Sequence, residues 1–246
     1  MKKFVLISGG GSGIGKKIAE LAIDKNFTPV LFGRRESALQ EASKILKSCP
    51  YLAVDLSLES CKVKLKTFLE TLSQDGDIVG TINNAGIYKP TSIEDSNEEN
   101  WLSQYQVNIM TAVYLTQASL PYLKKTKGAV VNISSTLGVR PIPNASAYSA
   151  SKAAMNSLTL SMAMEFAPYG VRANGICPGI VDTPIHDQHR TDVEAWKSDL
   201  KNSQPLGRVG TTEDIAPMAL TLIDPEQNAW TTGALINIDG GILLKS

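Results

Sequence analysis

Tyr148 and Lys152 stand four residues apart in Tyr148-Ser149-Ala150-Ser151-Lys152. On a helix that spacing stacks both side chains on one face. A phenol with a pKa near 10 carries protons poorly at neutral pH, but a neighbouring ammonium stabilises its phenolate and lowers that value. The pair therefore reads as a proton donor, Tyr148, tuned by Lys152. Tyr and Lys at this spacing also occur by accident, so the motif takes its meaning from what surrounds it.

A second cluster lies near the start of the chain. Ser8-Gly9-Gly10-Gly11-Ser12-Gly13-Ile14-Gly15 follows a short apolar run and precedes Lys16-Lys17-Ile18-Ala19, which opens a helical pattern. Glycines there let the backbone turn tightly and approach a pyrophosphate at the positive end of a helix dipole. Gly9, Gly11, Ser12, Gly13, Ile14 and Gly15 are the expected contacts. The P-loop pattern GxxxxGK[ST] is met as far as Lys16, but Lys17 stands where Mg²⁺ needs a hydroxyl. The spacing Gly9-x-x-x-Gly13-x-Gly15 suits a dinucleotide turn instead. About 20 residues beyond such a turn, a carboxylate would hold the ribose of NAD and an Arg the 2′-phosphate of NADP. The chain has Gly33-Arg34-Arg35 there and no carboxylate at the strand end. Arg34 and Arg35 favour NADP, with NAD the alternative, although Arg35 is also placed to pair with Glu36 or Glu41 on the surface.

These clusters need a scaffold that brings them together. Runs at 4–7, 29–32, 51–54, 78–82, 129–133, 171–176 and 234–238 have strand length and several β-branched residues. Segments of helical period lie between them, at 15–25, 36–47, 57–72, 98–123, 148–166 and 212–223. Near-continuous apolar strands alternating with helices predict an α/β fold: a single-domain, doubly wound parallel sheet of Rossmann type with helices on both faces. No repeat or linker interrupts the pattern, so residues 1–246 read as one domain. The connection at 184–207 is long for such a fold, and reads either as a substrate-binding lid or as a helical excursion covering the sheet edge.

Composition narrows the function. The 246 residues carry 24 Lys+Arg against 24 Asp+Glu. Zero net charge removes the basic field that nucleic acid or an anionic membrane would need, which leaves small molecules or proteins as partners. No run of about 18 apolar residues exists, so a soluble, cytoplasmic protein is expected. Cys49, Cys61 and Cys177 lack metal-ligand spacing and read as reduced structural thiols, with no metal site. From Ala153 to Met164 there are 12 residues without a charge, apolar on more than one side of a helix. Such a helix is usually covered on two faces, which predicts a homo-oligomer, dimer or tetramer.

Taken together, the glycine turn, Asn83-Asn84-Ala85-Gly86 after the fourth strand, Ser135, and Tyr148-x-x-x-Lys152 stand in one order. In that order the chain resembles, from end to end, the short-chain dehydrogenase/reductase family, the 3-oxoacyl-carrier-protein reductases among them. The resemblance implies a hydride transfer between NADP(H) and a carbonyl or secondary alcohol, with Tyr148 as general acid/base. Ser135, 13 residues before Tyr148, matches the family's catalytic serine, and Asn108 in Gln106-Val107-Asn108 its fourth catalytic residue. Lys152 would hold the nicotinamide ribose and Asn108 a water leading to solvent. Asp55 and Leu56 would meet the adenine; Asn83, Ala85 and Gly86 would line the nucleotide cleft; Pro178, Gly179, Ile180 and Thr183 would hold the nicotinamide amide and diphosphate. Ser8 stands where Thr is more usual, and position 12 lacks the basic residue many NADP-using relatives carry.

Two rival classes remain at this point. A serine hydrolase would have to use His186 or His189, and the chain has no GxSxG elbow. A nucleotide-sensing protein without turnover would have no need of the Asn, Ser, Tyr and Lys set. A carrier-protein substrate would need a basic docking surface, for which Lys124, Lys125 and Lys127 are the candidates.

Overall fold

The structure is a computed structural model that describes residues 1–189, 192–201 and 203–245. The elements run β1 (Lys2–Ser8), α1 (Gly13–Asp24), β2 (Thr28–Gly33), α2 (Glu36–Ile45), β3 (Tyr51–Ala53), α3 (Cys61–Asp75) and β4 (Gly76–Asn83). They continue with α4 (Glu98–Tyr105), α5 (Thr111–Thr126), β5 (Ala129–Ile133), α6 (Ser146–Phe166), β6 (Arg172–Pro178), α7 (Val193–Lys201), α8 (Thr212–Ile223) and β7 (Leu235–Ile238).

The strands form one seven-stranded sheet in the order β3-β2-β1-β4-β5-β6-β7, every pair parallel. Alternation explains why helices cover both faces. Val5 and Ile7 of β1 join Ile18 of α1, Leu39 of α2 and Ile215 of α8 in one buried cluster. Phe4 and Leu6 point the other way, against Leu65 and Leu69 of α3, Leu115 of α5 and Phe166 of α6. The chain reverses its winding between β1 and β4, and the crevice at the carboxyl ends of these strands is where such sheets bind ligands.

Three expected elements differ, each for a local reason. The third helix begins at Cys61 instead of residue 57, because Asp55 accepts hydrogen bonds from the Ser57 N–H at 3.0 Å and its hydroxyl at 2.6 Å, holding a turn. The long helix expected at 98–123 is broken into α4 and α5 by a π-helical turn at Gln106–Met110, which carries Asn108. The 184–207 connection contains a 3₁₀ helix at Pro184–His189 and then α7. Its residues 190, 191 and 202 lie outside the described residues, as does the side chain of His189.

Candidate active site

The glycine turn takes its shape from two constraints. Gly9 has φ +67°, and a Cβ there would meet Asn84 Nδ2 at 2.9 Å. Gly15 lies closer still: a Cβ would come within 2.5 Å of both Asn84 Nδ2 and the Gly9 carbonyl. The turn is then clamped from β4. Asn84 Nδ2 donates to the Ser8 carbonyl at 3.0 Å, while Ser8 Oγ accepts from the N–H groups of Asn84 and Ala85 at 2.9 and 3.0 Å. Ser8 thus performs the hydrogen bonding expected of a hydroxyl at this position.

Beside the turn opens a cleft of about 470 Å³. Gly9, Gly11, Ser12, Arg34, Arg35, Asp55, Leu56, Ala85 and Gly86 line it, together with Ile87, Val107 and Thr111. Arg34 and Arg35 are both exposed, and neither forms an ion pair among the described residues. The surface pairing expected of Arg35 with Glu36 or Glu41 is absent, and both arginines line the cleft, which Asp55 also lines.

Several expected contacts support the cleft without lining it. Ile14 packs against the core around α1. Asn83 is buried, and its Nδ2 donates to Thr116 Oγ1 at 3.0 Å and Asn132 Oδ1 at 2.8 Å. This corrects the cleft-lining role expected of it: successive residues of an extended chain face opposite ways, and the residue turned toward the glycine turn is Asn84, just past the end of β4. Gly13 approaches the loop after β6, where a Cβ would come within 3.5 Å of Pro184 and 3.6 Å of Thr183. Gly179 backs onto Asp239, and its N–H donates to the Ile238 carbonyl at 3.0 Å, which fixes Pro178, Gly179 and Ile180 against β7.

The chemistry-bearing side chains converge at the same sheet edge. Ser135 caps a 3₁₀ turn at Thr136–Gly138, its Oγ accepting from the Leu137 N–H at 3.1 Å. Ser134 turns inward, its Oγ donating to the Lys152 carbonyl at 3.1 Å, which leaves Ser135 to face Tyr148. Gly138 permits this approach, since a Cβ there would lie 2.7 Å from the Lys152 carbonyl carbon. Lys152 Nζ donates to the Ile133 carbonyl at 2.9 Å and lies 5.6 Å from the Tyr148 ring centre. Asn108 Oδ1 accepts from the Ile87 N–H at 2.8 Å, and its Nδ2 donates to the Ile87 carbonyl at 3.1 Å and Ser151 Oγ at 2.9 Å. Its side chain therefore pins the loop after β4 to α6, and a Cβ on Gly86 would sit 3.3 Å from Asn108 Oδ1 and 3.6 Å from Lys152 Nζ.

Electrostatics differ from the expectation in one respect. Burial pushes the Tyr148 phenol up to about 12, with a hydrogen bond from Ser135 pulling the other way and Tyr88 adding to the rise. Burial also lowers Lys152 to about 8. The lowered tyrosine pKa expected from the four-residue spacing is thus overturned, because the Lys152 ammonium is itself desolvated and directed at a backbone carbonyl. Both groups remain protonated at neutral pH. Burial likewise raises the thiols of Cys49, Cys61 and Cys177, all three of them free, so they are poor nucleophiles. The His186 ring lies beside those of Tyr88 and Trp196.

A parallel doubly wound sheet, a glycine turn at its switch point and a Ser-Tyr-Lys cluster on the same edge define a dinucleotide-dependent oxidoreductase. The comparisons agree. The family described as enoyl-(acyl carrier protein) reductase has a sequence model that matches residues 9–243. The chain is 32% identical to an uncharacterised oxidoreductase of Thermotoga maritima, over 97% of this chain and 96% of that one. It is 31% identical to a 3-oxoacyl-[acyl-carrier-protein] reductase of Chlamydia muridarum, over 98% of each. Among solved structures, NADP-bound ElxO superposes with a TM-score of 0.90 at 26% identity over 100% of both chains. An NADPH-bound short-chain oxidoreductase of Pseudomonas aeruginosa PAO1 superposes with a TM-score of 0.91 at 28% identity, over 99% of this chain and 98% of that one. The protein belongs to the short-chain dehydrogenase/reductase family, the nicotinamide-dependent oxidoreductases that work between carbonyl and alcohol.

Proposed function

We propose that the protein reduces a carbonyl substrate with NADPH, reversibly, and that Tyr148 passes the proton. The observation that carries this reading is the buried Ser135–Tyr148–Lys152 cluster on the sheet edge that also bears the glycine turn. The residues suit NADP: Gly9 leaves room for a close backbone approach, the α1 N-terminus supplies partial positive charge, and Arg34 with Arg35 offers forks for a 2′-phosphate. When bound, the nicotinamide supplies the hydride.

The protein's own residues handle the oxygen. A phenol held near pKa 12 stays protonated at pH 7 and can give its proton to a developing alkoxide. Ser135 donates a second hydrogen bond to that oxygen, and such donors accelerate only as far as they favour the alkoxide over the ketone. Lys152, held on the Ile133 carbonyl, keeps its ammonium 5.6 Å from the Tyr148 ring centre, where it is placed for the nicotinamide ribose. Asn108 acts through the loop it pins, as a positioning residue, alongside its expected role toward solvent.

Residues 1–246 act as one cofactor-binding and catalytic unit, with 184–207 as its lid, and we place it in the cytosol; none of the described helices is long and apolar enough to cross a membrane. On α6, Leu160 and Met164 are 44% and 80% exposed, which favours self-association through this helix. A solution mass of a monomer would refute that assembly. The central reading is tested by following NADPH oxidation across a panel of ketones, with NADH in parallel; cofactor binding without turnover of any ketone or alcohol would favour the sensor instead.

A further inference from the structure

Helix α6 carries a third polar residue on the stride that spaces Tyr148 and Lys152. Asn156 follows Lys152 by four residues and is buried, at 8% exposure. The redox chemistry above makes no use of it. A buried amide still needs a partner at each end of its side chain, and both partners of Asn156 lie outside its own helix. Its Nδ2 donates to the Gly138 carbonyl at 3.2 Å, and its Oδ1 accepts from the Cys177 thiol at 3.7 Å. A carbonyl can only accept, which fixes the amide this way round.

The Gly138 partner belongs to the turn that presents Ser135. The Gly138 N–H donates to the Ser135 carbonyl at 3.0 Å, and the Leu137 N–H to Ser135 Oγ at 3.1 Å. Ser135 therefore takes its position from the Thr136–Gly138 turn, and Asn156 holds the far end of that turn on α6. The fit is close: a Cβ on Gly138 would lie 2.8 Å from the Lys152 carbonyl oxygen and 2.9 Å from the Ala153 nitrogen. Cys177 closes the circuit from β6. Burial raises its thiol, with hydrogen bonds from the Ser134 side chain and the Ser135 backbone pulling the other way. Ser134 in turn donates to the Lys152 carbonyl at 3.1 Å. One ring of contacts thus joins α6, β6 and the turn after β5.

We infer that Asn156 is a positioning residue, which holds the Ser135 turn against α6 and so sets the Ser135 hydroxyl opposite that of Tyr148. The inference rests on the redox reading proposed above. Two hydroxyls serve one substrate oxygen only at a separation that suits both, and a shift of about 1 Å can cost 10²-fold in rate. Tyr148 rides on α6, whereas Ser135 follows the end of β5, so their separation depends on what ties these elements together. Lys152 ties α6 to the strand, at the Ile133 carbonyl. Asn156 ties it to the turn itself, and the Cys177 thiol keeps the amide from rotating away.

The experiment is a double-mutant cycle read in kcat, with NADPH and whichever of ethyl acetoacetate, acetophenone and dihydroxyacetone is reduced fastest. Asn156→Leu keeps the bulk but loses the donor, and Asn156→Ala loses both. Each should lower kcat by about 10- to 100-fold with NADPH affinity unchanged. In a Ser135→Ala background, where nothing is left to position, the same substitutions should cost less than about twofold. Equal losses in both backgrounds make Asn156 a structural residue and overturn the inference, as does an undiminished kcat or the failure of both variants to fold. Turnover of none of the three ketones bears on the redox reading alone, and hydrogen exchange then decides. Amides at 137–140 should exchange faster in either variant while those of β5 and β6 do not. Unchanged exchange in the turn overturns the hold assigned to Asn156.

Discussion

Lys152 Nζ reaches the carbonyl of Ile133 at 2.9 Å, so the ammonium of α6 is anchored on β5 instead of being aimed at the Tyr148 hydroxyl. The tie makes Lys152 a member of the sheet edge as much as of its helix. Burial dominates both pKa values, upward for the phenol and downward for the ammonium.

Loss of the phenolic hydroxyl in Tyr148→Phe should lower turnover by about 10²- to 10⁴-fold, the usual contribution of a positioned acid. Cofactor affinity should hardly change. Stopped-flow turnover and a separate NADPH titration check the two halves, and undiminished turnover would remove Tyr148 from the mechanism.

A pH signature follows from Lys152. Its pKa is about 8 in the folded protein against 10.5 when unfolded, so the unfolded chain binds more protons between these values and stability from this group rises with pH across that window. At about 1.4 kcal/mol per pH unit, the gain amounts to roughly 3 kcal/mol. Urea unfolding of wild type and Lys152→Met at pH 8 and pH 10 should show the wild type gaining on the variant. Tyr148 acts with the opposite sign: its pKa is raised, so its contribution is complete below pH 10 and is lost as pH climbs toward about 12.

Arg34→Ala should weaken NADPH binding by about 10- to 100-fold, the worth of a charge-assisted hydrogen bond to phosphate. NADH, lacking that phosphate, should bind the variant and wild type alike. Equal affinity of wild type for both nucleotides would redirect the assignment to an NAD-linked alcohol or sugar dehydrogenase.

Asn84→Ala removes the donor that holds the Ser8 carbonyl at 3.0 Å. The expected loss is about 1–3 kcal/mol of stability together with a weaker grip on either nucleotide, since the turn loses its clamp. Thermal melts and parallel titrations read both, and an unaffected nucleotide affinity would show that the turn holds its shape unaided.

Much of this molecule was written in local pattern. Apolar runs of strand length and helical segments between them determined the parallel, doubly wound sheet, because each element's burial follows its own periodicity. Local order also placed the glycine turn, Ser135, Tyr148 and Lys152 at one edge, since every right-handed crossover returns its carboxyl end to the same side. Tertiary structure decided what period and spacing leave open. Adjacent Asn83 and Asn84 have the same chemistry, yet only strand register assigns one to the buried sheet contact and the other to the glycine turn. Asp55 shortened α3 through a turn whose strength the helical pattern did not show. The rings of Tyr88, His186 and Trp196 meet only because segments about 100 residues apart in the chain pack together. The pKa of the Tyr148 phenol likewise depends on how deeply the packed chain buries it, a property that no spacing along the sequence contains.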